Sequence, residues 1–342
     1  MRIEVLHGML CSASSLAVEI IPPSVPAGAE RFMPEAETFG EGLLLIIQDA
    51  LPLIRPDLYE ASRVCIGLFC AVILVSLIQG ISERIKKVSI ITAVAGISAT
   101  ILMSFKSMVH LAGDTVSEMT EYGKLILPVM TTALAAQGGA ATSAALYAGT
   151  SILNTLISTL ISKLLLPGVY ILLAVGIAAA ATEEEMLKKF RDSVKTLISW
   201  CLKSILTVFI SYMGITGVVS GTTDAAALKA AKATISSFVP VVGGILSDAS
   251  ESILIGMGLA KNAAGLYGIF AVLAIYLEPF LQIGCHYLML KITAMVCSVF
   301  GAKPVTELIG DFSSGMGLLL GMTGSVCVLQ LISVVCFIKG VS

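Results

Sequence analysis

The chain has 342 residues, 56% of them hydrophobic and only 13% charged, with a formal net charge of -2 and a mean hydropathy of +0.96. This lies outside the range of soluble domains and predicts an integral membrane protein. The balanced charge gives no pull toward nucleic acid, and no basic run is long enough to form a polybasic patch.

At the N-terminus, "MRIEVLHGMLCSASSLAVEI" interrupts its apolar residues with Glu4, His7 and Glu19, which makes a poor signal peptide; "GML" before Cys11 is a weak lipobox. The stretch that follows is acidic and carries "IIPPSVPAGAE", so residues 1–62 are expected to form a partly flexible segment outside the membrane. Residues 63–342 then form the membrane domain.

Two spans are predicted at Val64 to Ile81 and Val88 to Met103. The loop "SERIKK" between them puts Arg84, Lys86 and Lys87 against the helix ends, which points this hairpin toward the cytoplasm. The acidic loop "AGDTVSEMTEYGK" then falls outside. From Leu125 to Ala181 the sole charge is Lys163. As helix this run would reach roughly 85 Å, close to three crossings of a ~30 Å hydrocarbon core. Pro128, the pair Gly138 and Gly139, and Pro167 divide it, and the piece from Leu125 to Gln137 either crosses or is re-entrant.

The segment "TEEEMLKKFRDSVKTLIS" sets Met186, Phe190, Val194, Leu197 and Ile198 against Lys188, Lys189, Arg191 and Lys195, the pattern of an interfacial helix on the cytoplasmic side. Trp200 at its end suits the headgroup level. Further spans are expected at Leu202 to Val219, about Ser252 to Leu277, Phe280 to Phe300 and Met316 to Ile338. The sum is an all-α, polytopic transmembrane helical bundle of about seven to ten spans with broken or re-entrant helices.

An internal duplication is also legible. A shift of 112 residues lays "LPVMTTAL" from Leu127 over "VPVVGGIL" from Val239 and Pro167 over Pro279, while a shift of 111 lays "VKTLIS" from Val194 over "VTELIG" from Val305. The repeat halves cover about 86–200 and 201–311, followed by a final helix at about 314–338. The structural breaks are then Pro128, Gly138, Gly139 and Pro167 in the first half and Pro240, Gly243, Gly244 and Pro279 in the second. Broken backbone at membrane depth is tolerated only against protein or a watery cavity, so the pattern suggests a transporter-like or channel-like assembly. In the half-polar helix from Ala227 to Leu254, Lys229, Lys232, Ser236, Ser247 and Glu251 face water, either at an outer surface or in a central cavity, and Lys229, Lys232, Asp248 and Glu251 are the candidate cavity residues.

Two stretches, "GDTVSEMTEYGKLILPVMTTALAAQGG" from Gly113 and "ALKAAKATISSFVPVVGGILSDASESIL" from Ala227, resemble the stage III sporulation protein AE family of endospore-forming bacteria. The likeness runs from about Arg63 to the C-terminus. It implies a polytopic protein of the mother-cell membrane around the forespore, part of a channel complex linking the two compartments. The partners it implies are other proteins of the same operon, including a cytoplasmic secretion-type ATPase and ring-forming single-span proteins; homo-oligomerisation is a further option. Members of the family are not known as enzymes, and they usually begin with a cleavable signal.

Within the chain, Glu278 in "AIYLEPFLQIGCHYLML" is the charge most out of place, and His286 follows two helical turns later on nearly the same face. The pair forms either a proton or substrate relay or, more simply, a polar turn at Glu278-Pro279 between two spans. Lys106, Lys163, Lys203, Lys261 and Lys291 sit near span ends, where long stems bring their ammonium groups to the headgroups. The eight cysteines are single and seven lie in apolar runs, which suits small packing residues. There is no phosphate loop and no HExxH, and the three histidines are far apart, so no catalytic, cofactor-binding or metal residue is assigned. A self-sufficient secondary transporter, with its cavity lined by the broken helices, is the alternative to a channel component.

Overall fold

All regular structure is helical in the residues that the computed structural model describes: 25–26, 29–34, 39–79, 83–136, 140–215, 263–300 and 303–341. After a short 3-10 turn at Glu30–Phe32 come α1 (Phe39–Gln79), α2 (Glu83–Ala136), α3 (Ala140–Leu160), α4 (Leu166–Thr182), α5 (Glu185–Ile215), α6 (Ala263–Cys297) and α7 (Lys303–Val341). A π-helical turn, Ile161–Leu165, joins α3 to α4. Among the described residues, six stretches are long and apolar enough to cross a bilayer: Ile54–Ile78, Lys87–Thr131, Tyr147–Thr182, Glu185–Tyr212, Leu266–Phe300 and Lys303–Val335.

Several predicted elements merge into longer helices. The acidic stretch 112–124, expected as a loop, is the middle of α2, a helix of 54 residues. Its apolar residues keep the helical period straight through the charges: Phe105, Met108, Ala112, Val116, Met119 and Tyr122 are all buried. His110 and Asp114 fall on the other face, where both are largely exposed. With its buried stripe unbroken, the helix has no reason to stop, and it continues through Pro128. Pro128 lies on the exposed side, and the Thr131 hydroxyl donates to its carbonyl at 2.8 Å.

The predicted spans 252–277 and 280–300 overlap a single described helix, α6, with Pro279 inside it. Pro167, by contrast, stands in the first turn of α4, directly after the π-helical turn. Proline removes an N–H and crowds the carbonyl four residues back, and a wider π turn relieves that clash. The final helix begins earlier than the predicted 314–316, at Lys303, because Pro304 fits a first turn and the buried residues Val305, Leu308, Ile309 and Phe312 extend the apolar periodicity upstream. The boundary expected at residue 62 falls inside α1.

The interfacial helix and the span after it are likewise one helix, α5. Met186, Phe190, Leu197 and Trp200 point outward, while Ile198 and Leu202 pack inward. An outward apolar face is the arrangement expected where the surrounding solvent is lipid.

Contacts between helices give their directions. The Ser76 hydroxyl of α1 donates to the Phe300 carbonyl beyond α6 at 2.6 Å, while Gly42, near the start of α1, faces Phe270 near the start of α6; these two helices run parallel. Phe105 meets Phe312 edge-on at 5.9 Å, and Gln330 donates to the Met119 carbonyl at 3.1 Å, so α2 and α7 also run parallel. Tyr276 reaches the Leu320 carbonyl and Ser313 the Tyr287 carbonyl, so α6 and α7 are antiparallel. Thus α1, α4 and α6 end where α2, α5 and α7 begin. At the centre lies α7, with 94% of its apolar window buried.

The turn between α4 and α5 holds Glu183 in the left-handed region, at φ 58, with its N–H on the Ala179 carbonyl at 2.9 Å. A Cβ in that conformation costs on the order of 1 kcal/mol, and glycine avoids the cost. Glu183→Gly is therefore expected to raise the thermal unfolding midpoint of detergent-purified protein by an amount equivalent to about 1 kcal/mol; an unchanged or lower midpoint counts against this reading of the cap.

Candidate functional site: paired charges inside the bundle

Glu278 lies inside α6 rather than in a turn between spans, and its partner comes from far away in sequence. Arg31 Nη2 meets Glu278 Oε2 at 2.5 Å, and Gln282 Nε2 donates to Oε1 at 3.3 Å. His286, nearly buried, has its Nδ1 2.9 Å from the backbone carbonyl of Gln282, so this nitrogen bears the hydrogen. The two sequence-predicted residues therefore share a helix face and do not bond each other; Gln282 between them takes one through its side chain and the other through its backbone. Around them gather acids from other helices: Asp57 of α1 is an electrostatic neighbour of both His286 and Glu278, and Glu118 of α2 is a neighbour of Glu278.

Arg31 is held by the turn that carries it. Ala29 donates to the Pro26 carbonyl at 2.8 Å and Phe32 to the Ala29 carbonyl at 3.0 Å. Val25, Ala29 and Phe32 are buried, and the guanidinium lies 4.6 Å above the Phe32 ring. Part of the lead-in expected to be flexible is thus anchored on the bundle.

Pro128, Pro167 and Pro279 lie where described above, in α2, α4 and α6. Gly138, Gly139, Lys229, Lys232, Pro240, Gly243, Gly244, Asp248 and Glu251 lie outside the described residues. Among the described residues no three His, Cys, Asp or Glu side chains are grouped so as to hold a metal ion.

A second cluster, between α5 and α7, went unassigned in the sequence. Arg191 Nη1 bonds Asp311 Oδ2 at 2.9 Å, and each side chain is only 14% exposed. One turn further along, Lys195 Nζ donates to Ser314 Oγ at 2.9 Å. Arg191 Nε also donates to Asp192 Oδ1 at 3.0 Å. Room for Asp311 comes from Gly176 of α4, where a Cβ would stand 3.0 Å from the carboxylate. The clue in the sequence was the register: Arg191 and Lys195 are four apart and oppose a row of large apolar residues. That row belongs to the membrane face of the expected interfacial helix, and Met186, Phe190 and Leu197 do face outward while Ile198 packs inward.

Charges taken out of water lose several kcal/mol of hydration each, and close pairing with further hydrogen bonds offsets that loss. The buried pair is therefore sensitive to removal of one member and tolerant of joint replacement. Asp311→Ala is expected to destabilise the protein by about 3 kcal/mol or more, whereas Arg191→Met with Asp311→Leu stays within about 1 kcal/mol of wild type; thermal unfolding in detergent checks both. Arg31–Glu278 is half-exposed, so Glu278→Gln is expected to change stability by less than about 1 kcal/mol, with an equal shift for the larger buried pair's variants arguing against this ranking.

The profile described as "Stage III sporulation protein AE" matches residues 48–340. A relative, "Stage III sporulation protein AE" of Bacillus subtilis (strain 168), is 24% identical over 204 residues, which is 60% of this chain and 51% of the relative. The matched region thus spans about half the length of that protein. No solved structure matches the chain. With the profile running from α1 to the end of α7, and six helices apolar enough to cross a bilayer, the chain belongs to the stage III sporulation protein AE family.

Proposed function

We propose that the protein is a non-enzymatic membrane component of a channel or export complex joining mother cell and forespore, required for forespore development. The observation that carries this reading is the match to the sporulation family along nearly the whole helical bundle. Its place is the mother-cell membrane around the forespore. The end of the bundle where α2, α5 and α7 begin faces the cytoplasm of the mother cell, because Lys87, Lys188, Lys189 and Lys303 gather there. Its partners are other products of the same operon, among them a cytoplasmic secretion-type ATPase and ring-forming single-span proteins.

The bundle also supports a structural role. Its charged side chains at α5 and α7 bind one another, and its outer face presents Leu74, Met103, Ile152 and Trp200. The α3–α4 and α5 pair is proposed as the counterpart of α6 and α7 in a duplicated domain, since the second helices of both pairs run parallel and pack through charged groups.

In an endospore-forming host lacking its own family member, the gene is expected to restore forespore-specific transcription after engulfment. Proteoliposomes with the purified protein alone are expected to take up no solute. Uptake without partners would replace the channel-component reading with that of a self-sufficient transporter, and failure to restore sporulation in any such host would remove the proposed role.

A further inference from the structure

The outward side of α2 changes character partway along the helix. Leu102 and Met103 are exposed and apolar. Beyond them Lys106, His110, Asp114, Glu118, Glu121 and Lys124 recur every three or four residues, and all six are exposed. This spacing sets them on one face, over ~27 Å of helix. Among the described residues the stripe's own ion pair is His110 with Asp114, at 4.0 Å, with the side chains 76% and 71% exposed. The electrostatic neighbours of Glu118 are themselves acids: Asp114, Glu121 and, from α6, Glu278. Glu278, half-exposed beside Arg31, thus adjoins the same face.

At the same height the other side of the bundle is greasy. Gly113 of α2 faces Leu166, where a Cβ would stand 3.5 Å from the leucine Cδ1. Backbone angles stay helical from α3 through the π turn into α4, so this run passes α2 in the opposite direction. Counting back from Leu166 brings Leu164, Leu156 and Ile152 about level with Thr115, Gly123 and Leu127, and all three point outward. Gly149 faces Tyr212 of α5, and Val208, one turn from Tyr212, is exposed as well. A belt of bare aliphatic side chains suits hydrocarbon, so this height lies within the bilayer. Charges at that depth must pair or meet water, and neighbouring acids cannot pair with one another. A basic helix laid on the stripe would match Asp114, Glu118 and Glu121 but would set cations against Lys106 or Lys124. Water satisfies both signs.

We propose that the charged face of α2, with Glu278 beside it, is one wall of a water-filled passage at bilayer depth that admits cations and neutral polar solutes. The proposal rests on the channel-component reading, in which neighbouring subunits supply the other walls. Acids occupy the middle of the stripe and lysines its two ends, so the potential is negative where the low-dielectric surroundings screen it least, and anions are held back.

The test uses the full chain in membranes of an endospore-forming host during sporulation, with Ser117→Cys on the stripe or Leu156→Cys on the greasy side. Membrane-impermeant methanethiosulfonates, one cationic and one anionic, attack thiolates, which form where water reaches. Labelling is read by mass spectrometry on the peptide that carries the new cysteine, so the native cysteines stay in place. Ser117→Cys is expected to react at least about tenfold faster than Leu156→Cys, and to favour the cationic reagent about tenfold more than a small free thiol does. Adding Glu118→Gln and Glu121→Gln should lower that preference and leave the cysteine accessible. Protection of both cysteines overturns the proposal, because lipid or a dry partner then covers the stripe. Equally fast labelling of both also overturns it, since that height would lie outside the bilayer. A reagent preference unchanged by the glutamines refutes the assigned solute charge. Should a cysteine variant fail to accumulate, a water-soluble carbodiimide on wild type decides: modification of Asp114, Glu118 and Glu121 in intact membranes supports the passage, and their protection refutes it. Failure to restore sporulation with Ser117→Cys still labelled would count against the channel-component reading alone.

Discussion

A polar atom enclosed by a helix bundle in lipid has no water to bond, so leaving it without a partner in the protein is costly, and of the buried side-chain atoms described only a few, Gln330 Oε1 included, are left so here. The central helix, α7, lives under that constraint along most of its length. Most of its buried hydroxyls turn back on their own helix, Ser325 donating to the Gly321 carbonyl at 2.6 Å and Ser333 to the Leu329 carbonyl at 2.7 Å, while Ser313 crosses to the Tyr287 carbonyl of α6. Groups too long or too charged for that reach across, Gln330 to the Met119 carbonyl and Asp311 to Arg191. These crossings fix α2 and α5 against α7 in one register, since sliding either by a turn would strand a buried amide or carboxylate.

The remaining helices arrange themselves around that register. Gly123 of α2 leaves the space that the Gln330 amide fills, as Gly176 does for Asp311, so close backbone approach and polar pairing occur at the same places. Once α2, α5 and α7 point one way, α1, α4 and α6 return the other way, and the large apolar side chains left over face outward to lipid. A chain of this kind is held rigid from its interior and presents a greasy skin, which suits a fixed subunit of a membrane assembly.

The two charge clusters serve different scales. Arg191–Asp311 is buried and joins two helices of the core. Arg31–Glu278 is half-exposed and ties residues 25–34 to α6. Those residues precede the region that the family profile matches, which begins at residue 48, so the second contact attaches a segment outside the matched region to one inside it. Its solvent access makes it the weaker of the two, and most of the anchorage there comes from burial of Val25, Ala29 and Phe32.

What the sequence determined by itself was the class of the protein and its neighbourhood: unbroken apolar runs of membrane length admit little besides lipid-embedded helices, and the wording around Gly113 resembled the family to which the chain belongs. Periodicity also placed one end of each of four helices within about five residues: the C-terminal ends of α1, α6 and α7 and the start of α2. It could not decide whether Pro128 and Pro279 end helices, because a proline interrupts only if neighbouring contacts fail to hold the chain helical on both sides, and here buried stripes continue past both. Nor could it say which face of α5 is inner, since amphipathic periodicity is the same whether water or lipid lies outside. Tertiary structure settled that choice by placing Asp311 and Ser314 opposite Arg191 and Lys195, and it chose Arg31 over His286 as the partner of Glu278, because pairing across 247 positions depends on how the helices pack and leaves no trace in local spacing.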